Sequence, residues 1–296
     1  MGSEPSSFRS WDGTRLAYSE VGVGPRLVCV PGGPGRASAY LEDLGGLAEH
    51  RTLVLLDNRA TGRSEVPVDP ASLRFDRLAE DVEALRTHLG EERIDLLGHS
   101  AGCIVAQAYA AVHPDRLRSL LLVTPSDWLQ GGDRADLPAI RVTRRHEPWY
   151  AEAADAQDAL ADATPVERTA LVRATRPFLY GRWDERTQAH AATADAQMDR
   201  RAELGFGGDL GAAKVQALVQ ALVQALVQAL VQALGQVHVP VLVVGGERDG
   251  ATGLASVQAV ADCFPGARTA VVPGAGHFPW VDEPADFRGV VDPFLR

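Results

Sequence analysis

Short apolar runs bounded by glycine and proline alternate along this chain with longer stretches of helical periodicity. Residues 8–21 read as a hairpin turning at Asp12-Gly13. Further apolar runs follow at 27–30, 52–56, 94–97, 120–123, 239–244 and 267–272, and 74–89 and 104–112 carry helical patterns between them. Strands alternating with helices in this way predict an α/β architecture with a doubly wound, mostly parallel sheet. The alternation stops once. Residues 126–238 hold no convincing strand, are rich in Ala, Arg, Asp and Glu, and are far too long for a loop. They predict a helical cap inserted after the sixth strand, over a core made of residues 1–125 and 239–296.

Residues 215–234 are Val-Gln-Ala-Leu repeated five times. No Gly or Pro interrupts them, so they predict one helix of roughly 30 Å within the cap. A four-residue unit overshoots the 3.6-residue turn by about 40°, and the Val/Leu stripe therefore winds around the helix axis. One flat surface cannot bury all of it. Glutamine in every turn argues against a membrane span. A stripe left exposed would favour association, so a homodimer through this helix is an expectation.

The chain has 296 residues, 46% hydrophobic and 23% charged, with a formal net charge of −10. That balance suits a globular enzyme-sized protein and argues against a nucleic-acid partner. Cys29, Cys103 and Cys263 lie in strand or helix patterns and form no paired framework, which predicts free thiols in a reducing, cytoplasmic setting. Residues 1–6 carry no apolar core of a signal peptide. Neither a CxxC nor an HExxH spacing is present, so no metal and no cofactor is implied.

The chemistry concentrates in Gly98-His99-Ser100-Ala101-Gly102, directly after the 94–97 run. A serine hydroxyl becomes a useful nucleophile when a sharp strand-to-helix turn holds it clear of its neighbours, and small residues two before and two after allow that turn. Two later runs end in Asp249 and in Gly276-His277. A base to take the serine proton and an acid to orient that base would thus sit on the edge of a parallel sheet with Ser100. Asp127, which follows the 120–123 run, is the alternative acid, and Glu247 a near neighbour of the preferred one. His99 reads as a structural hydrogen-bonder, and His50, His88, His113, His146, His190 and His238 as surface or packing residues. Acyl transfer also needs backbone N–H donors for the developing oxyanion. Ala101 is one candidate, and Gly33, in the loop Pro31-Gly32-Gly33-Pro34-Gly35 after the 27–30 run, is the other.

These segments, with Asp57-Asn58-Arg59-Ala60-Thr61-Gly62-Arg63-Ser64, resemble the proline iminopeptidase branch of the α/β-hydrolase superfamily. The chain order Ser, Asp, His is the one expected of that fold. Members of the branch usually show His-Gly-Gly-Pro-Gly, Asp-x-Arg-Gly-x-Gly-Arg-Ser and often Gly-x-Ser-Trp-Gly; this chain departs at Pro31, Ala60 and Ala101. The resemblance implies a serine hydrolase working through an acyl-enzyme on a small-molecule or short-peptide substrate, with aminopeptidase action on small N-terminal residues, proline first. It also implies cap carboxylates that hold the substrate ammonium, for which Asp184 in Trp183-Asp184 and Glu203 are the matches. Without that anchor the same residues would serve an esterase, lactonase or amidase, or a hydrolase-like receptor that has kept them.

Overall fold

A computed structural model describes residues 6–132, 134–208 and 213–296. The reading of the extreme N-terminus falls mostly on residues 1–5, outside the described residues. Eight strands among those described form one sheet: β1 (Ser6–Arg9), β2 (Arg15–Gly22), β3 (Arg26–Val30), β4 (Thr52–Leu56), β5 (Ile94–His99), β6 (Leu117–Val123), β7 (Val241–Gly246) and β8 (Arg268–Val272). Their spatial order is β1-β2-β4-β3-β5-β6-β7-β8. The hairpin β1–β2 and the β2–β4 pairing are antiparallel, and every other pairing is parallel. This is the doubly wound, mostly parallel sheet that the alternating pattern predicts.

Period-two alternation assigns each strand residue to one of two cores. Val28, Val30, Val54, Leu56, Leu96, Leu120, Leu122, Val241 and Val243 face one layer. It includes α1 (Phe75–His88) and α2 (Gly102–Val112). Leu27, Cys29, Leu53, Leu55, Leu97, Leu121, Val123, Leu242 and Val244 face the other, where Trp280 and Phe287 pack from the C-terminal segment. Both faces being covered explains why the central strands read as continuous apolar runs.

The segment 57–64 is a structural knot. Asp57 accepts hydrogen bonds from the Ser38 backbone N–H, the Ser38 hydroxyl and the Arg63 N–H. Arg59, fully buried, bridges Asp81 and Asp12 across the sheet edge. Losing one partner of such a buried pair costs about 3–5 kcal/mol, because the other charge remains desolvated. Ala60 sits at φ 61°, in the left-handed region.

Between β6 and β7 the described chain carries helices and no strand of the sheet. The helix Ala213–Leu234 packs against α2, and its later units join the main core. The winding stripe is visible in its burial. Leu234 and Leu230 are 0% and 5% exposed, Leu226 is half-buried and Leu222 is 60% exposed. Three units back from Leu234, a rotation of about 120° has carried leucine off the core face. The same rotation brings valine onto it, for Val223 is 6% exposed whereas Val227 and Val231 are only half-buried. No helix among the described residues is long and apolar enough to cross a membrane.

Candidate active site

Four loops leave the C-terminal ends of β3, β5, β7 and β8 and meet over one end of the sheet. The turn after β5 carries Ser100 at φ 55°, a left-handed conformation that costs a non-glycine residue about 1–2 kcal/mol. Close packing enforces it. A Cβ on Gly98 would lie 2.7 Å from the Gly102 carbonyl oxygen, and one on Gly102 would lie 2.3 Å from the Val30 oxygen, so both positions admit only glycine. The Ser100 N–H donates to the Val123 carbonyl at 3.0 Å, which ties the turn to β6.

The loop after β3 runs against this turn. A Cβ on Gly32 would fall 2.8 Å from Ser100 Cβ and 3.3 Å from the Ala101 nitrogen. Gly33 and Ala101 therefore share the cleft with Ser100.

Asp249 follows β7 and is fully buried. Its Oδ1 accepts the N–H groups of Ala251 and Thr252 at 2.8 and 3.2 Å, and its Oδ2 accepts the Thr252 hydroxyl at 2.6 Å and His277 Nδ1 at 2.9 Å. Burial alone would raise its pKa; the adjacent imidazole and these hydrogen bonds outweigh burial and hold it below the usual carboxylate range. Since the carboxylate only accepts, Nδ1 carries a proton, which in the neutral imidazole leaves the lone pair on Nε2. Asp127 is elsewhere: it is buried and pairs with Arg134 at 3.4 Å. Glu247 accepts the Gly274 N–H at 2.8 Å and does not reach His277.

The His277 backbone is held as firmly as its ring. Its N–H donates to the Leu179 carbonyl at 2.7 Å, and its carbonyl accepts His99 Nε2 at 2.9 Å and the Thr124 hydroxyl at 3.0 Å. That carbonyl can only accept, so His99 is protonated on Nε2 and its Nδ1 accepts the Tyr40 hydroxyl at 2.7 Å. The Tyr40 oxygen in turn accepts the Gly32 N–H at 2.7 Å. Burial, with His277 alongside, pushes the His99 pKa well below 6.5 and keeps the ring neutral, as this chain of bonds requires. His190, read from sequence as a surface or packing residue, repeats the pattern: it is buried, bonds the Tyr40 carbonyl through Nε2 and accepts the Tyr180 hydroxyl. Tyr40, Thr252 and Thr124 carry no motif and were invisible to sequence reasoning.

The cleft holds about 450 Å³ and is lined by Ser100, His277, Gly33 and Ala101 from the core and by Val172, Arg176, Leu179, Ala194, Met198 and Glu203 from the inserted segment. The two candidate amine anchors part company here. Asp184 does not line the cleft; it caps the helix Glu185–Ala192, accepting the Thr187 N–H, and is half exposed. Its place in the pattern is explained by helix capping. Glu203 does line the cleft but is paired with Arg200 at 2.6 Å. Among the described residues no cluster of His, Cys, Asp and Glu is suited to hold a metal ion.

A family profile described as alpha/beta hydrolase fold matches residues 25–284. A proline iminopeptidase from Heyndrickxia coagulans is 32% identical over 108 residues, 36% of this chain and 38% of that protein. The match thus spans little more than a third of that relative's length. Among solved structures, a proline iminopeptidase from Mycobacterium smegmatis superposes with a TM-score of 0.73 at 24% identity, covering 99% of this chain and 97% of its own. An esterase from Rhodococcus sp. gives 0.70 at 20% identity, covering 99% and 98%.

Proposed function

The chain belongs to the alpha/beta hydrolase fold family, in the neighbourhood of its proline iminopeptidase branch, and on that footing we propose that it is a serine hydrolase acting through an acyl-enzyme. The observation that carries this reading is His277, bonded to Asp249 at 2.9 Å, lining the same cleft as a strained Ser100. In the proposed reaction His277 Nε2 takes the Ser100 proton as Oγ bonds to the substrate carbonyl carbon. The carbonyl oxygen becomes an oxyanion and accepts the N–H groups of Gly33 and Ala101. His277 gives its proton to the leaving group as that bond breaks. Water, deprotonated by the same imidazole, then attacks the acyl-serine, and the acid leaves with Ser100 restored. Asp249 keeps the imidazole in the required tautomer and stabilises the imidazolium.

Hydrolysis of small carboxylic esters or amides is the substrate reading that the cleft supports best, because neither Asp184 nor Glu203 stands there as an unengaged carboxylate for an ammonium. Aminopeptidase action is the second reading, favoured by Glu203 on the cleft wall and by the resemblance to proline iminopeptidases. A fluorophosphonate probe tests the chemistry: one adduct per chain is expected, located on Ser100 by peptide mass, and none on Ser100→Ala. An unlabelled wild-type chain would sink the proposal and favour a non-catalytic receptor. Rates on 4-nitrophenyl butyrate and on the 4-nitroanilides of proline, alanine and leucine separate the two substrate readings.

A further inference from the structure

The cleft carries more positive charge than acyl transfer needs. Among the described residues Arg36, Arg134 and Arg176 line it, against the single carboxylate of Glu203. Three of these four charges are already matched: Arg134 by Asp127, Arg176 by Asp195 at 2.5 Å, and Glu203 by Arg200.

Arg36 is different. It is only 6% exposed, yet its hydrogen-bond partners among the described residues are neutral: Gln197 Oε1 at 2.9 Å from Nε and Thr193 Oγ1 at 3.0 Å from Nη2. The guanidinium lies 4.2 Å from the centroid of the Tyr40 ring. Burial lowers its pKa from the ordinary arginine value, with Arg176 adding repulsion. Glu42 attracts it without hydrogen-bonding to it. A buried cation whose hydrogen-bond partners are all neutral is costly unless an anion completes its shell. Five N–H donors belong to a guanidinium, and two are used here. The residue also sits three positions after Gly33, and its own N–H donates back to the Gly32 carbonyl at 3.3 Å. It therefore belongs to the loop that carries Gly33, and it lines the same cleft as Ser100.

We propose that the acyl substrate of this site carries a carboxylate a few atoms from its scissile carbonyl, and that Arg36 is the residue that selects it. The inference rests on the serine-hydrolase reading above and gives that site a substrate class opposite in charge to an N-terminal ammonium. Arginine suits the task because its planar fork matches a carboxylate with paired hydrogen bonds.

Arg36 also joins the glycine loop to Gln197 and Thr193, so its loss will loosen the cleft for any substrate. The decisive quantity is therefore a ratio: kcat/KM for the 4-nitrophenyl monoester of glutaric acid over that for 4-nitrophenyl pentanoate, measured for the full chain and for Arg36→Gln and Arg36→Lys. A charge-assisted pair of hydrogen bonds predicts a wild-type ratio on the order of ten or more, falling about tenfold in Arg36→Gln and less in Arg36→Lys, which keeps the charge and loses the fork. A wild-type ratio at or below one overturns the carboxylate preference while leaving the hydrolase reading intact. So does a ratio unchanged in Arg36→Gln, which would reduce Arg36 to a structural tie. Inertness towards both esters together with an unreactive Ser100 overturns both readings at once.

Discussion

The Tyr40 hydroxyl donates to His99 Nδ1 at 2.7 Å while accepting the Gly32 N–H at the same distance, so a single phenol fixes the glycine loop against the serine turn. Through His99 Nε2 the connection continues to the His277 carbonyl. Three of the four loops that form the site are thereby held in one hydrogen-bonded frame. Tyr40→Phe leaves a buried N–H and a buried ring nitrogen without partners, a cost of about 1–3 kcal/mol for each group. Loosened loop placement should lower kcat by about tenfold or more with a smaller change in KM. Steady-state kinetics on a small ester beside a urea titration checks both; a Tyr40→Phe chain with native kcat would show that the frame does not position the loop.

For the proposed reaction, Ser100→Ala should remove turnover by several orders of magnitude and leave the urea midpoint near native. Asp249→Asn should cost on the order of 10³–10⁴-fold in kcat, because an amide can hold the wrong imidazole tautomer. Asp127→Asn alters, among the described residues, the Arg134 contact and should cost little activity. Greater loss at Asp127 than at Asp249 would overturn the assignment of the acid.

Ala60 stands at φ 61°, in the left-handed region that favours glycine. Left-handed backbone costs alanine about 1–2 kcal/mol, and glycine gives back about 0.4–1 kcal/mol through its freer unfolded chain. Ala60→Gly should therefore stabilise the protein by up to about 1 kcal/mol, seen as a higher thermal midpoint. A lower midpoint would contradict this account of the 57–64 segment.

Acid should act on the fold through its buried histidines. Burial lowers His190 to about 4 and, with His277 beside it, pushes His99 well below 6.5. As pH falls through 6.5 the unfolded chain gains these two protons and the folded chain does not, so the stability they contribute is full above pH 6.5 and lost below it. Asp282 works in the opposite direction. Burial raises it to about 6, so the folded state takes its proton first and acidification between 6 and 4 favours the fold. Burial raises Glu42 and Asp81 as well, in the same direction as Asp282. The histidine contribution is therefore read as a difference: urea midpoints at pH 7, 6 and 5 for the native chain and for His190→Gln, which can keep both hydrogen bonds without titrating, should show the native chain losing more stability on acidification than the variant. Equal pH dependence in the two would contradict a neutral His190.

The strands, the serine turn and the Asp249–His277 pair were legible because each has a local signal: an apolar run, a glycine spacing, a carboxylate or histidine just past a strand. Tyr40 and Arg36 had none. Their importance comes from partners such as His99 and Gln197, distant in sequence, and no local pattern encodes such a meeting. Asp184 failed in the opposite way. A carboxylate beside tryptophan suits an amine anchor, but the same residue before a helix suits an N-cap, and only the placement of Glu185–Ala192 separates the two.

The repeat helix offers the sharpest test, because its leucines share one local sequence and differ only in what they face. Leu234 is fully buried against the core and Leu222 is 60% exposed, although each ends the same Val-Gln-Ala-Leu unit. Helix propensity cannot distinguish them. Leu234→Ala should cost about 2–5 kcal/mol by removing core packing, and Leu222→Ala less than about 0.5 kcal/mol. Deleting one whole unit is a different perturbation. Because the units are identical, the shortened helix can keep its last three in place on α2, and the missing turn falls at the N-terminal end. A four-unit chain should then fold with near-native stability, whereas a two-unit chain loses Val223 and Leu226 from the set that packs on the core and should be destabilised by several kcal/mol. Equal costs at Leu222 and Leu234, or collapse on removal of a single unit, would show that the winding stripe does not control how this helix packs.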